Sequence, residues 1–254
     1  MKRRLVILFL ILAQGICSGV LFAQTLSAED IVRKADEKFN GEKSSYSVMA
    51  MTIVRPGWKR TIEFKNWSLG KDYALTLITM PAKEAGQSFL KRGSEMWSWN
   101  PSISRLIKLP PSMMSQGWMG SDYTNDDILR ESSVVKDYIH TLIGEENIGG
   151  RLCYKIRMTA KENTSIVWGK QIRWIDKKDF LVLKAEFYDE DGSLVRTEVG
   201  SGIKSMGGRM VTSKIELIPQ EEPNNRTLVE IREIKFNISI GESYFSQQNM
   251  KRVR

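Results

Sequence analysis

Residues 46–80 run YSVMAMTIVRPGWKRTIEFKNWSLGKDYALTLITM, and their punctuation decides the fold class. Pro56-Gly57 and Gly70-Lys71-Asp72 carry turn chemistry: a fixed φ, freedom for positive φ, and short polar side chains. The runs they separate, 46–54, 58–69 and 73–80, are rich in β-branched and aromatic residues and follow a period of two. Ile62 and Phe64 alternate with Thr61, Glu63 and Lys65. Successive side chains of a strand point to opposite faces, so these runs predict antiparallel strands with one apolar face.

The same signals extend outward. Shorter runs at 89–91, 96–99 and 105–109 are divided by Gly93-Ser94 and Asn100-Pro101. Further runs at 138–143, 152–158, 170–176, 181–188, 194–204, 209–217 and 227–237 have Gly149-Gly150, Lys177-Lys178-Asp179, Asp191-Gly192 and Gly207-Gly208 between them. That makes about a dozen strands without βαβ alternation. Such a chain closes into a barrel, curls into a half-barrel or splits into a sandwich. Helical patterns are few. Ser27 caps a helix with Ile31, Ala35 and Phe39 on one face and Gly41 as its stop. Residues 122–130 and 243–250 predict two short ones. No internal repeat and no Pro/Gly/Ser-rich linker divides the chain.

The N-terminus reads as a secretory signal. Lys2, Arg3 and Arg4 precede an apolar run at 5–13, and Leu21-Phe22-Ala23 ends in a small residue suited to cleavage. The expectation is a cleaved segment 1–23, a single β domain over 24–254, and a periplasmic location. Loss of three positive charges lowers the formal charge from +8 to +5. The remaining charge is scattered, with no basic block for nucleic acid. Cys17 leaves with the signal, so Cys153 stays as a lone strand thiol without a disulfide partner.

A search for catalysis finds nothing that holds together. His140 is the single histidine and sits in a predicted strand. No Cys/His cluster offers a zinc site. Asp189-Glu190-Asp191-Gly192 lacks the glutamate a calcium loop needs, since Gly200 stands at that position, and reads as a hairpin turn. Ser-x-x-Lys occurs four times without companion motifs. Asp126-Asp127 lies at a helix start, where the helix dipole accounts for acidic residues. No phosphate-binding glycine loop or nucleophile elbow is present. The chain is read as a non-enzyme without cofactor or metal.

Seven Trp and twelve Met suit either a dense core or an adaptable apolar pocket. Residues 110–120 are more specific: Met113, Met114, Trp118 and Met119 sit among Pro, Ser and Gly. Four large apolar side chains in a loop need a cover or a partner. A mobile lid over a barrel mouth satisfies them, and so does a loop tucked down for stability.

Three stretches carry a resemblance. They are Gly86-Gln87-Ser88-Phe89-Leu90-Lys91-Arg92-Gly93, then Glu95-Met96-Trp97-Ser98-Trp99-Asn100-Pro101-Ser102, then Met119-Gly120-Ser121-Asp122-Tyr123-Thr124-Asn125-Asp126-Asp127-Ile128-Leu129. They resemble the F-L, W-x-W/Y-x-P and M-G-S-D-F/Y-T-x-E/D-D pattern of the outer membrane lipoprotein-sorting branch of the LolA-like superfamily. The order of elements over residues 25–250 resembles it as well. The resemblance implies a mainly β fold: a curled, unclosed antiparallel β-barrel of about 11 strands, with a few helices covering the open side. It implies a periplasmic carrier that binds lipoprotein acyl chains or lipids in a hydrophobic cavity and hands them toward the outer membrane. An inner-membrane exporter or an outer-membrane acceptor would be its partner. The alternative is a periplasmic interaction module accessory to a membrane exporter, docking through the Met/Trp loop. For a carrier, the expected cavity wall is Ile62, Phe64, Leu75, Leu77 and Trp97, continued by Trp99, Ile156, Trp174 and Phe187. The expected lid is Met113, Met114, Trp118 and Met119.

Overall fold

The computed structural model describes residues 26–40, 43–129, 133–162, 164 and 167–254. The expected signal segment 1–23, the helix stop at Gly41 and the side chain of Phe39 lie outside the described residues.

Every predicted run forms a strand. They are β1 (Ser44–Arg55), β2 (Trp58–Leu69), β3 (Tyr73–Met80), β4 (Ser88–Arg92), β5 (Glu95–Asn100), β6 (Arg105–Lys108), β7 (Tyr138–Ile148), β8 (Arg151–Ala160), β9 (Lys170–Asp176), β10 (Val182–Tyr188), β11 (Leu194–Met206), β12 (Arg209–Pro219) and β13 (Arg226–Phe236). All pair antiparallel in one sheet of 13 strands, ordered β6-β5-β4-β3-β2-β1-β13-β12-β11-β10-β9-β8-β7. The implied count of about 11 falls short. The short strands β5 and β6 extend one edge beyond β4. The sheet is curled and does not close, so among the described residues β6 and β7 are left as its edges.

The order has a simple logic. From β1 the chain steps outward, hairpin by hairpin, to β6. It then crosses to the far edge and steps back inward from β7 to β13, which pairs with β1. The connection from β6 to β7 joins the two edges of the sheet, and its described residues carry the Met/Trp loop and the Met119–Leu129 motif.

Helix α1 (Ala28–Asn40) starts at the expected capping box. The Ser27 Oγ accepts from the Asp30 N–H at 3.0 Å, and the Asp30 carboxylate accepts from the Ser27 hydroxyl at 2.6 Å. Such a cap contributes about 1 kcal/mol. Ile31, Val32 and Ala35 pack onto Tyr138, Ile156, Met158 and Ile175. Helix α2 (Asn125–Leu129) is shorter than the 122–130 pattern suggests. Ser121, Asp122 and Tyr123 are engaged in a turn, and Thr124 caps the helix by exchanging hydrogen bonds with Asp127 at 2.7 and 3.1 Å. At the C-terminus only Gln247–Met250 is α-helical, as α3, capped by Ser246. Strand β7 runs past its predicted end because a bulge between Leu142 and Gly144 (φ +147°) absorbs the glycine.

Candidate functional site

Strand register decides which side chains share a face. On the face that carries α1 and the crossing segment, Ile215, Val229, Met51 and Ile62 form one row across β12, β13, β1 and β2. Ile231, Met49 and Phe64 form the next. Beyond them come Ser47, Asn66, Thr76 and Phe89, then Ser45, Ser68, Ala74 and Lys91. The inner surface therefore grades from hydrocarbon at its middle to hydroxyl, amide and ammonium groups near the Gly70-Lys71 turn.

Two chambers lie on this face. The larger, about 290 Å³, is bounded by Met49, Met51, Phe64, Val229 and Ile231 from the sheet and by Tyr123 and Ile128 from the crossing segment. Its polar end is formed by Ser45, Ser47, Asn66, Ser68 and Lys71. The smaller, about 190 Å³, lies between α1 (Ala35, Lys38) and β10–β12, with Phe187, Val211 and Glu198 in its wall. Ile215 lines both, so the two abut at one side chain. Each is close to or below the small end of ligand sites, which run roughly 300–1,000 Å³. Gly200, in the lining of the smaller chamber, is set by close packing: a Cβ there would come within 2.8 Å of the Val182 carbonyl oxygen and 2.6 Å of Thr212 Cγ2.

A buried polar cluster holds the crossing segment against the sheet. Arg196, with only 3% of its side chain exposed, makes a two-pronged pair with Asp127 at 2.6 and 2.9 Å. Glu198 lies 3.2 Å away on the same face. The guanidinium is enclosed by the rings of Phe187 (4.2 Å), Trp168 (4.4 Å) and Tyr123 (5.5 Å). Trp168 Nε1 also donates to Asp127 at 3.1 Å. Burial pushes the Asp127 carboxyl up, and the Arg196 charge and its hydrogen bonds more than cancel this, so it titrates below its ordinary value. For Glu198 burial wins over Arg196 and its carboxyl is raised. A second clamp joins Asp122 to Arg55 at 2.8 and 3.1 Å and to the Thr227 hydroxyl at 2.6 Å. Arg60 donates to the Met119 carbonyl. The left-handed turn between these anchors is met by Gly120 at φ +76°.

The expected wall residues divide between the two faces. Ile62 and Phe64 are on the inner face beneath Met114 and Trp118. Ile156 lies under α1, and Phe187 lines the smaller chamber. Leu75, Leu77, Trp97 and Trp99 point the other way and pack under Phe245, Met250 and Val253 of the C-terminal segment. Trp174 is also on the outer face, with the Lys184 and Lys155 ammonium groups 4.3 and 4.8 Å from its ring and its Nε1 donating to Glu146 at 2.8 Å. Alternation alone could not sort them, because β3 is covered on both sides and Leu75 through Ile78 are all buried.

Of the expected lid, Met114 and Trp118 are buried, while Met113 and Met119 are half-buried. The Trp118 ring stands edge-on to Phe64 and to Phe89, each at 5.5 Å. The expected wall left out Met49, Met51, Ile215, Val229 and Ile231, although Met49 and Met51 alternate correctly in β1 and the sequence marks Val229 and Ile231 as the apolar side of their strand. Sequence reasoning passed over Arg196 and treated Asp127 as a helix-start acid. The thiol and the histidine are held structurally: burial pushes Cys153 up to about 11, and His140 Nε2 lies 2.7 Å from the Val134 carbonyl oxygen.

Comparison with known proteins agrees with this architecture. A family model described as "Uncharacterized protein" matches residues 70–252. A DUF1329 family protein from Desulfovibrio piger superposes with a TM-score of 0.80 at 26% identity, covering 88% of this chain and 97% of that one. A LolA superfamily protein from Nitrosomonas europaea gives 0.75 at 25% identity, over 88% and 99% of the two chains. A domain from Vibrio parahaemolyticus, described as an outer membrane lipoprotein-sorting protein, gives 0.78 at 20% identity, over 89% and 100%. Among curated proteins, none matches the chain. With the motif residues clamping the crossing segment over an open, curled sheet that it shares with the DUF1329 and LolA superfamily structures, the chain belongs to the family matched over residues 70–252.

Proposed function

We propose that this protein is a periplasmic carrier that shelters the acyl chains of lipoproteins or lipids between its inner sheet face and the crossing segment, and hands them toward the outer membrane without covalent chemistry. The observation that carries the reading is the pair of abutting chambers that share Ile215. An acyl chain leaving water gains about 0.8 kcal/mol per methylene. A carrier must match that gain and still release its cargo, so a modest apolar surface suits it better than a deep sealed core. Met49 and Met51 supply adaptable side chains for a tail of variable shape. The crossing segment acts as a fixed cover, since Arg55, Arg60 and Arg196 tie it down along its length, and the cargo enters by the Gly70-Lys71 end. A likeness to lipoprotein-sorting and LolA-like proteins supports the periplasmic location.

The reading is tested by purifying the protein without detergent from a Gram-negative periplasm, extracting it with organic solvent and analysing the extract by mass spectrometry. Acyl lipid in near-stoichiometric amount is expected. A lipid-free extract, together with no uptake of added acyl probe, contradicts it.

A second reading, an accessory to a membrane exporter, has one observation in its favour. Ile139, Leu142 and Ile143 are exposed on β7, an edge strand among the described residues. The Met/Trp loop does not serve that reading, because Met114 and Trp118 are turned inward. Lysine substitutions at the three β7 positions that abolish export while leaving acyl binding intact would favour it.

A further inference from the structure

At one end of the sheet the chain reverses between β1 and β2, between β3 and β4, and between β5 and β6. These three connections adjoin one another. Arg60, at the start of β2, reaches Glu84 of the second at 2.9 Å, and a Cβ on Gly86 of the second would come within 3.2 Å of Pro101 Cγ in the third. At each tip one large apolar side chain faces solvent: Trp58 is 50%, Met80 51% and Ile103 63% exposed. None of the three packs into a hydrophobic cluster of the described residues. Asn100 stiffens the third tip, its side chain accepting from the Ser102 N–H at 3.0 Å. Beside each apolar side chain stands an exposed cation, Lys59, Lys83 or Arg105, with no ion-pair partner among the described residues. The one carboxylate in these connections, Glu84, is taken by Arg60. Single exposed apolar residues are ordinary, but three on adjoining tips, each next to an unpaired cation, form a patch. The rest of this end has the opposite sign: the β10–β11 and β12–β13 connections carry Asp189, Glu190, Asp191, Glu221 and Glu222.

We propose that these tips dock the protein on an anionic lipid surface, with Trp58, Met80 and Ile103 seated at headgroup level and Lys59, Lys83 and Arg105 against the lipid phosphates. An indole favours that level, where its ring meets hydrocarbon and its Nε1–H meets polar groups. Cations close to an anionic surface are attracted to it, and these three give up no ion pair on approach. Three convex tips suit a soft surface that yields to them better than a folded partner, which needs a matching shape. The acidic connections are repelled by the same lipid, which tips the molecule onto its β1–β6 side. The Gly70-Lys71 turn lies at the other end of the strands, so docking leaves that entrance clear. The inference does not depend on the carrier reading.

Co-sedimentation with vesicles tests it, using the protein purified from a periplasm. Phosphatidylcholine vesicles containing about one third phosphatidylglycerol should bind it at least about tenfold more tightly than pure phosphatidylcholine, and raised salt should shrink the gap. Lys59→Gln/Lys83→Gln/Arg105→Gln should weaken binding to the anionic vesicles by about a hundredfold, at about fivefold per cation. Trp58→Ser/Ile103→Ser should weaken it by about tenfold or more. Both variants change exposed side chains only and should keep the parent's melting temperature and its acyl-probe affinity, so a failure of docking is read apart from a failure of the carrier. Lys136→Gln/Lys178→Gln/Lys204→Gln removes the same charge from exposed positions elsewhere and should leave vesicle binding within about twofold of the parent. An equal loss in that control assigns the effect to overall charge and overturns the docking surface. Binding by the parent that neither the Gln nor the Ser set at the tips weakens overturns it as well. No binding to anionic vesicles overturns it and leaves the patch to an acidic protein.

Discussion

The two carboxylate oxygens of Asp127 meet the two terminal nitrogens of Arg196 at 2.6 and 2.9 Å, joining the crossing segment to β11 over 69 residues of sequence. The pair sits beside both chambers, enclosed by Phe187, Trp168 and Tyr123. It fixes the cover at a chosen height above the sheet, and that height sets the room left for a ligand. Breaking one partner leaves the other charge buried. Asp127→Asn or Arg196→Met should therefore cost about 3–5 kcal/mol in urea unfolding, and the double variant Asp127→Leu/Arg196→Met should recover much of it. Single losses under about 1 kcal/mol, as for exposed pairs, would contradict this.

Acid should act on the two carboxylates beside Arg196 in opposite ways. Asp127 titrates lower in the folded state, so its contribution is complete above an unfolded value of about 4 and is lost as the pH falls through the folded one. Glu198 titrates higher in the folded state, so stability is fully present below its unfolded value and is lost as the pH rises from there through the raised folded one. Glu198→Gln should melt a few degrees higher than the parent at pH 7, and the difference should disappear below about pH 4. A lower melting temperature at pH 7 would show that Glu198 is a net stabilising partner of Arg196.

Trp118 should be sensitive to size and indifferent to its indole nitrogen. Trp118→Ala removes the ring packed on Phe64 and Phe89 and should cost about 3–5 kcal/mol. Trp118→Phe keeps aromatic contact and removes a buried Nε1 that has no hydrogen-bond partner among the described residues, so it should cost well under half as much. Equal losses in thermal melts would place an unseen partner on that nitrogen.

The two faces of the sheet should separate stability from binding. Trp97→Ala loosens the C-terminal segment, since the ring belongs to the outer cluster with Phe245 and Met250, and should lower the melting temperature while leaving acyl-probe affinity unchanged. Met49→Asp puts a charge into the larger chamber and should weaken the probe by about tenfold or more. The reverse pattern would place the ligand on the outer face.

Turn chemistry made the strands legible almost one for one. Pro56-Gly57, Asp191-Gly192 and Gly207-Gly208 stand between strands, and Ser27 with Asp30 caps α1. Faces were harder, because alternation shows which residues are apolar and not which side a second layer covers. Ile62 and Phe64 could be placed among polar neighbours. Leu75 and Leu77 could not, since a C-terminal segment distant in sequence buries the outer side of β3. The Arg196–Asp127 pair was invisible for a related reason: an arginine in a polar-looking strand and an aspartate at a helix start each have an ordinary local explanation. Only the leap from β6 to β7 brings them together.

The most direct test of the carrier account is titration of the protein with a fluorescent acyl probe, in the parent and in Ile215→Trp. Ile215 is the side chain common to both chambers, and an indole there takes up space in each. Saturable one-to-one binding by the parent, weakened at least about tenfold in a variant that melts normally, is the predicted result. Unchanged binding in Ile215→Trp would mean that hydrocarbon, if taken up at all, does not go between the sheet and its cover.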